Sequence, residues 1–208
     1  MPQPIFKIDL QYFGSIHYVK TLMENKNVLF DLEATFTKMS FKNRMVIVTS
    51  QGPLMLTIPI VGGRDQKTPI KDIAIAYDSP WSAQHLKSII TSYKRAPYFE
   101  YYEESLTALY AKKPAKLVDF LQQCFEWLQS QLKVNWDLTI PYHQVDVDAV
   151  IKYQDPWLPK NYSRIEGLPK YQQVFTGQND FITNASILDM LFCVGGREIN
   201  KLWAPSVR

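Results

Sequence analysis

Trp81, His85, Ser88 and Ser92 recur at spacings that a helix brings onto one side. At 100° per residue they form a narrow stripe. The stripe lies about a quarter-turn from the apolar face of Leu86, Ile89, Ile90 and Tyr93. Side chains on such a boundary are expected to be shielded yet reachable. An imidazole there can be tuned to move a proton near neutral pH. The simpler reading of His85 is a boundary histidine bonded to a backbone carbonyl. Pro97 ends this helix near Ala96, because the residue before a proline avoids the α conformation. The stop carries Tyr98, Phe99 and Glu100. Glu100 is the candidate orienting partner of His85, and Trp81 or Tyr98 could stack on a ring.

A second concentration of chemistry is Lys38-Met39-Ser40-Phe41-Lys42-Asn43-Arg44, with three cations, an amide and a hydroxyl. It suits a phosphate or carboxylate, held bidentately by Arg44 and by Lys38 as a point charge. A solvated connection before a strand explains it equally well. The Gly62-Gly63 loop has neither P-loop nor dinucleotide spacing. Asp146 and Asp148 could share one side of an extended segment, but no third ligand lies near them in sequence. His17, His85 and His143 are widely spaced, Cys124 and Cys193 stand apart from any zinc pattern, and no metal site is expected. Nothing in the sequence identifies a cofactor.

The elements that must position these residues read as follows. Ile5–Leu10 alternates as a strand, Ser15 caps a helix over 16–24, and Val28–Leu32 is a second strand. This is a βαβ unit with parallel strands. Met45–Thr49 and Leu54–Ile60 form a hairpin about Ser50-Gln51-Gly52-Pro53, and Ile70–Tyr77 reads as another strand. Ser79 with Pro80 opens the helix of Trp81 and His85 as N-cap and first residue. Further helices are expected over 98–112 and from Leu117 through Leu128. Residues 135–168 are irregular and proline-rich, and Tyr171–Phe175 suggests a short strand. Ser186 caps a helix over 186–194, with Asp189 completing a capping-box pattern and Gly195-Gly196 stopping it. A tail helix runs over 198–203. The predicted fold class is α/β or α+β, a mixed β-sheet from the N-terminal half packed with helices mostly from residue 80 onward. The whole chain, 1–208, is expected to form one domain.

At 208 residues and a formal net charge of +3, with Lys and Arg scattered, the sequence gives no case for nucleic acid. No stretch reaches the roughly 18 apolar residues of a membrane span, and Met1–Leu10 lacks the layout of a secretory signal. A reduced, cytoplasmic location is therefore expected. The sequence leaves the oligomeric state open.

Several segments together resemble one family. They are Tyr12-Phe13-Gly14-Ser15-Ile16 with Tyr18, Lys38-x-Ser40-x-x-Asn43-Arg44, and Leu56-Thr57-Ile58-Pro59. Trp81 with His85 and Tyr93-x-x-Ala96-Pro97-Tyr98-Phe99-Glu100 follow. Tyr171-x-Gln173-Val174-Phe175 and Phe181-x-x-Asn184-x-Ser186-Ile187-Leu188-Asp189-x-Leu191-Phe192 complete the set. The sequence is similar in these pieces to WbqC-like proteins of the compact Bacteroidetes type. It departs from them at Phe36, where Tyr is common, and at Cys193, where Asn is usual. The resemblance implies a setting among surface-polysaccharide (O-antigen type) genes. It also implies modification of a nucleotide-linked or amino sugar, by acyl or aminoacyl transfer. The alternative is a non-catalytic sugar- or nucleotide-binding accessory protein. The motif positions it implies for a small-molecule site are Lys38, Asn43, Arg44, Trp81, Tyr98, Tyr171, Gln173 and Asn184 for substrate, with His85 and Glu100 catalytic. Lys38, Arg44, His85 and Glu100 are expected to line one cleft.

Overall fold

The computed structural model describes residues 5–25, 28–37, 40–63, 67–136, 150–152 and 160–203. Lys38, His143, Asp146 and Asp148 lie outside the described residues. Strand β1 (Ile5–Ile8) leads through a tight turn into helix α1 (Ile16–Glu24), and β2 (Val28–Phe30) returns parallel to β1. The Ser15 hydroxyl accepts the Tyr18 N–H at 3.3 Å, so the cap read from the sequence forms. Asn25 stops the helix by turning extended, and its amide donates to the Thr21 carbonyl at 2.7 Å. Within the stretch expected to be irregular, β5 (Val150–Lys152) pairs parallel with the other edge of β1. The result is a three-stranded parallel sheet of order β2-β1-β5.

The hairpin forms a separate two-stranded antiparallel sheet, β3 (Arg44–Thr49) with β4 (Gly52–Thr57), in register Met45 with Leu56 and Ile47 with Leu54. The mixed α/β class therefore holds, with its parallel and antiparallel strands divided between two small sheets. The strand expected at Ile70–Tyr77 does not form. Ile70 and Ile73 are three residues apart, and Ile70–Asp72 is a 3₁₀ turn that buries both. Ile75 and Ala74 make only isolated bridges, to Ile60 and Lys116.

The helices are α2 (Trp81–Tyr93), α3 (Phe99–Ala111), α4 (Leu117–Leu132), α5 (Ile187–Val194) and α6 (Gly196–Trp203). Pro80 itself is the N-cap of α2, and Ser79 makes no capping bond, a shift of one residue from the expected start. α5 is apolar nearly all round and is buried over Ile187–Phe192. Its packing against α1, α3, α6 and β3 explains why it has no polar face. The N-termini of α1 and α5 interlock. Ile16 N–H donates to the Ala185 carbonyl and Ile187 N–H to that of Gly14, both at 2.9 Å, while the Ser186 hydroxyl donates to the Phe13 carbonyl at 2.7 Å. These bonds use backbone groups that a helix start would otherwise leave unpaired. Among the described residues no helix is long and apolar enough to cross a membrane.

Candidate functional site

The loops that leave the carboxyl ends of β1 and β2 begin with an aspartate each, Asp9 and Asp31. In parallel sheets ligands bind outside these ends, where the strand order reverses, and the order β2-β1-β5 reverses at β1. Both aspartates are paired with lysines. Lys7 meets Asp31 at 2.8 Å, with each side chain 10% exposed, and the Lys42 ammonium meets Asp9 Oδ2 at 2.5 Å. Lys42 is 2% exposed. A lysine is buried to this degree only with a partner, because desolvating its charge costs several kcal/mol. The run 38–44, read as a holder of carboxylate or phosphate, thus holds a carboxylate of the protein itself.

Two segments run side by side here, since Tyr12 N–H donates to the Phe41 carbonyl at 3.1 Å. The turn 9–15 is tightly specified. Phe13 adopts φ of 41°, and a Cβ on Gly14 would strike the Tyr18 ring. The Tyr18 hydroxyl donates to the Asp9 carbonyl at 2.8 Å and accepts from the Gln11 backbone. Against this rigid backbone, Asp9 Oδ1, Gln11 Oε1 and Ser40 Oγ are buried with no hydrogen-bond partner among the described residues. Most buried polar atoms in folded proteins are paired, so three orphans on neighbouring segments form an unusual cluster. Trp81 Nε1, Gln123 Oε1 and Asp189 Oδ1 are likewise without a partner among the described residues, each on a different helix. Arranged this way, the edge can accept three hydrogen bonds beside its two buried lysine–aspartate pairs.

Sequence reasoning reached Ser40 and Lys42 only as members of a cationic run and missed Asp9 and Gln11. The available signal was positional: both stand directly after β1, in the first turn of the βαβ unit. The expected residues fall elsewhere. Asn43 is buried and structural, its amide donating to the Ile58 carbonyl at 2.8 Å. Arg44 opens β3 and reaches Met55 Sδ at 3.8 Å across the hairpin. Asn184, at φ of 52°, accepts from His17 N–H and donates to the Tyr162 carbonyl, both at 2.8 Å. It pins the start of α1 to the segment whose Tyr162 ring meets Phe41 at 5.9 Å.

His85 is not on a boundary. It is 6% exposed, between Trp81 and Tyr12, with ring centroids at 5.3 and 5.9 Å. The helix stripe is covered because the turn after β1 lays Tyr12 across it. The Tyr12 hydroxyl bonds to both His85 Nδ1, at 3.1 Å, and the Tyr110 hydroxyl. Every partner is satisfied if Tyr110 donates to Tyr12, Tyr12 donates to Nδ1, and Nε2–H faces the Thr57 backbone. Burial lowers the His85 pKa to about 4, against an opposing contribution from the Thr57 hydrogen bond. Glu100 lies exposed in the first turn of α3, where its charge suits the helix dipole. His85 is buried and Glu100 exposed, and among the described residues no hydrogen bond or ion pair joins the two. Tyr98 is also surface-placed, 38% exposed, with its ring against Gly195.

Tyr171 and Gln173 converge on Asp189, which is fully buried in α5. The Tyr171 hydroxyl and Gln173 Nε2 donate to Asp189 Oδ2 at 2.5 and 2.8 Å. Gln173 also brackets Ile182, accepting its N–H and donating to its carbonyl, both at 2.9 Å. This side-chain amide supplies the pairing that a neighbouring strand would, which explains why Tyr171–Phe175 is not a strand. Asp189 therefore serves the segment around it and not a capping box, whereas Ser186 does cap α5 through the Leu188 N–H at 3.3 Å. Burial raises the Asp189 pKa, and hydrogen bonds from Tyr171, Gln173 and Tyr93 oppose the rise.

No curated protein and no solved structure matches this chain. The sequence profile of the WbqC-like protein family matches residues 3–148, a span that takes in Asp9, Gln11, Ser40 and Lys42, and the chain belongs to that family.

Proposed function

We propose that this protein is an enzyme of surface-polysaccharide biosynthesis that modifies a nucleotide-linked or amino sugar at the carboxyl edge of the parallel sheet. The observation that carries the reading is the cluster of buried acceptors without donors: Asp9 Oδ1, Gln11 Oε1 and Ser40 Oγ. A sugar is a ring of O–H and N–H donors, and a site built to hydrogen-bond such groups rejects ligands that lack them. Lys42, with its ammonium on Asp9 Oδ2, fixes the carboxylate and sets positive charge beside it. The setting implied by the family resemblance supplies the substrate class.

The chemistry follows from that geometry. Asp9 Oδ1 takes the proton of a sugar amine or hydroxyl as its nitrogen or oxygen attacks an acyl carbonyl. The new C–N or C–O bond forms, and the acyl donor's leaving group departs with its bonding pair. Lys42 holds Oδ2 so that Oδ1 faces the substrate. The proton-carrying role expected of His85 thus passes to Asp9 in this reading.

Mass spectrometry of the purified protein with nucleotide sugars and acyl or aminoacyl donors tests the reading. Acylated product is expected from wild type. Asp9→Asn should retain sugar binding and lose about a hundredfold or more in turnover. Binding without turnover in wild type would make the protein an accessory binder. Absence of binding to any nucleotide or amino sugar would overturn the reading.

A further inference from the structure

A cleft lies at the far end of β3, beyond the proposed catalytic edge. β3 starts two residues after Lys42 and ends at Thr49, so the two places are separated by roughly 17 Å of extended strand. The cleft has a volume of about 190 Å³ and is walled by Tyr171, Phe175 and Phe181, with Asn179, Asp180 and Lys170 among its polar groups. It is smaller than the roughly 300–1,000 Å³ of pockets for drug-sized ligands, which points to a single ring. The walls are held in place from behind. Tyr171 is tied to Asp189, Phe181 packs edge-on against the Tyr171 ring at 5.4 Å, and the Asn179 amide donates to the Thr49 carbonyl at 2.8 Å. Asn179 Oδ1, the Asp180 carboxylate and the Lys170 ammonium make no hydrogen bond or ion pair with any described residue.

We infer that this cleft binds one pyranose unit of a sugar. A pyranose has an apolar C–H face that lies on aromatic rings and an edge of hydroxyls that both donate and accept. Asp180 and Asn179 Oδ1 accept from that edge, and Lys170 donates to it. A flat purine stacks best between parallel rings, whereas the Tyr171 and Phe181 rings stand at 87° to each other, and an anion would meet Asp180. Apart from Val48 the lining lies outside residues 3–148, and the site goes beyond the proposed function, on which it does not depend.

An NMR titration of the full chain with methyl glycosides of glucose, galactose and glucosamine tests it. Saturable shifts are expected at residues 170–181 with at least one glycoside. Asp180→Asn should weaken this binding about tenfold, the loss of one charge-assisted hydrogen bond. Phe181→Leu should weaken it as well, while Asp9→Asn should leave it unchanged. Absence of saturable shifts at 170–181, or shifts insensitive to both Asp180→Asn and Phe181→Leu, would overturn the site. Shifts confined to residues 9–12 and 40–42 would overturn it while leaving the catalytic reading intact. Shifts at 170–181 from a protein that binds no nucleotide or amino sugar at the sheet edge would uphold this site alone.

Discussion

Asp189 and Asp9 each keep one carboxylate oxygen buried without a hydrogen-bond partner among the described residues, and they differ in what meets the other oxygen. Around Asp189 the surroundings are donors: Tyr171 and Gln173 converge on one oxygen, and Tyr93, whose hydroxyl accepts the Val48 N–H at 2.8 Å, stands close enough to ease the charge. Around Asp9 the surroundings are acceptors. One lysine meets one oxygen, and Gln11 Oε1 and Ser40 Oγ add two more lone-pair groups to a place that already has an unmet one. A carboxylate oxygen that gathers two side-chain donors, as Asp189 Oδ2 does, fastens two pieces of chain together. A carboxylate among orphaned acceptors is less stable than the fold could make it, and that imbalance is what a donor-rich ligand would relieve.

The largest expected effect lies at the fastening. Asp189→Ala leaves the Tyr171 hydroxyl and the Gln173 amide without their shared acceptor and should cost about 3–5 kcal/mol in chemical denaturation. A loss below about 1 kcal/mol would remove Asp189 from that role.

His85 sharpens the comparison as a buried group with satisfied partners. Its folded pKa of about 4 lies below the ordinary value of 6.5, so the unfolded chain binds the proton more readily. Its contribution to stability is then full above pH 6.5 and is lost as pH falls towards about 4, by up to about 3 kcal/mol. His85→Gln should flatten that part of the stability profile relative to wild type. An unchanged slope would show that His85 binds its proton as readily in the fold as in the unfolded chain.

A smaller effect is expected at Tyr171→Phe, which removes one donor to Asp189 while keeping the ring. It should cost about 1–2 kcal/mol in thermal or urea unfolding. A neutral result would mean that the carboxylate is held by Gln173 alone.

The sequence made much of the frame legible because local rules decide it. Ser15 and Ser186 are caps whose hydroxyls accept the Tyr18 and Leu188 N–H groups, and Gly195 ends α5 with φ of 88°. The βαβ unit followed from two strands about one capped helix. What stayed hidden depends on contacts between distant segments. β5 pairs with β1 from residues whose own sequence carries no strand period. Ile70–Tyr77 alternates like a strand, yet the Ile70–Ile73 spacing suits a 3₁₀ turn better. His85 looked like a boundary residue because helix geometry alone cannot foresee Tyr12 lying over it. Asp189 fitted a capping pattern equally well, and only Tyr171 and Gln173 reveal what its carboxylate does. The candidate site was half visible: Ser40 and Lys42 stood in a noted run, but Asp9 and Gln11 gained meaning only as the residues at the carboxyl end of β1.

The two regions should separate most clearly in paired measurements of stability and binding on Ser40→Ala and Gln11→Met. Both changes remove a buried acceptor that has no hydrogen-bond partner among the described residues. Unfolding free energies are expected to stay level or rise by about 1 kcal/mol, since an unpaired buried polar group is a cost to the fold. Calorimetric affinity for the nucleotide or amino sugar that wild type binds should fall about tenfold or more for each. Destabilisation by about 1–3 kcal/mol with affinity unchanged would contradict the account, because it would make these acceptors part of the scaffold and not of the site.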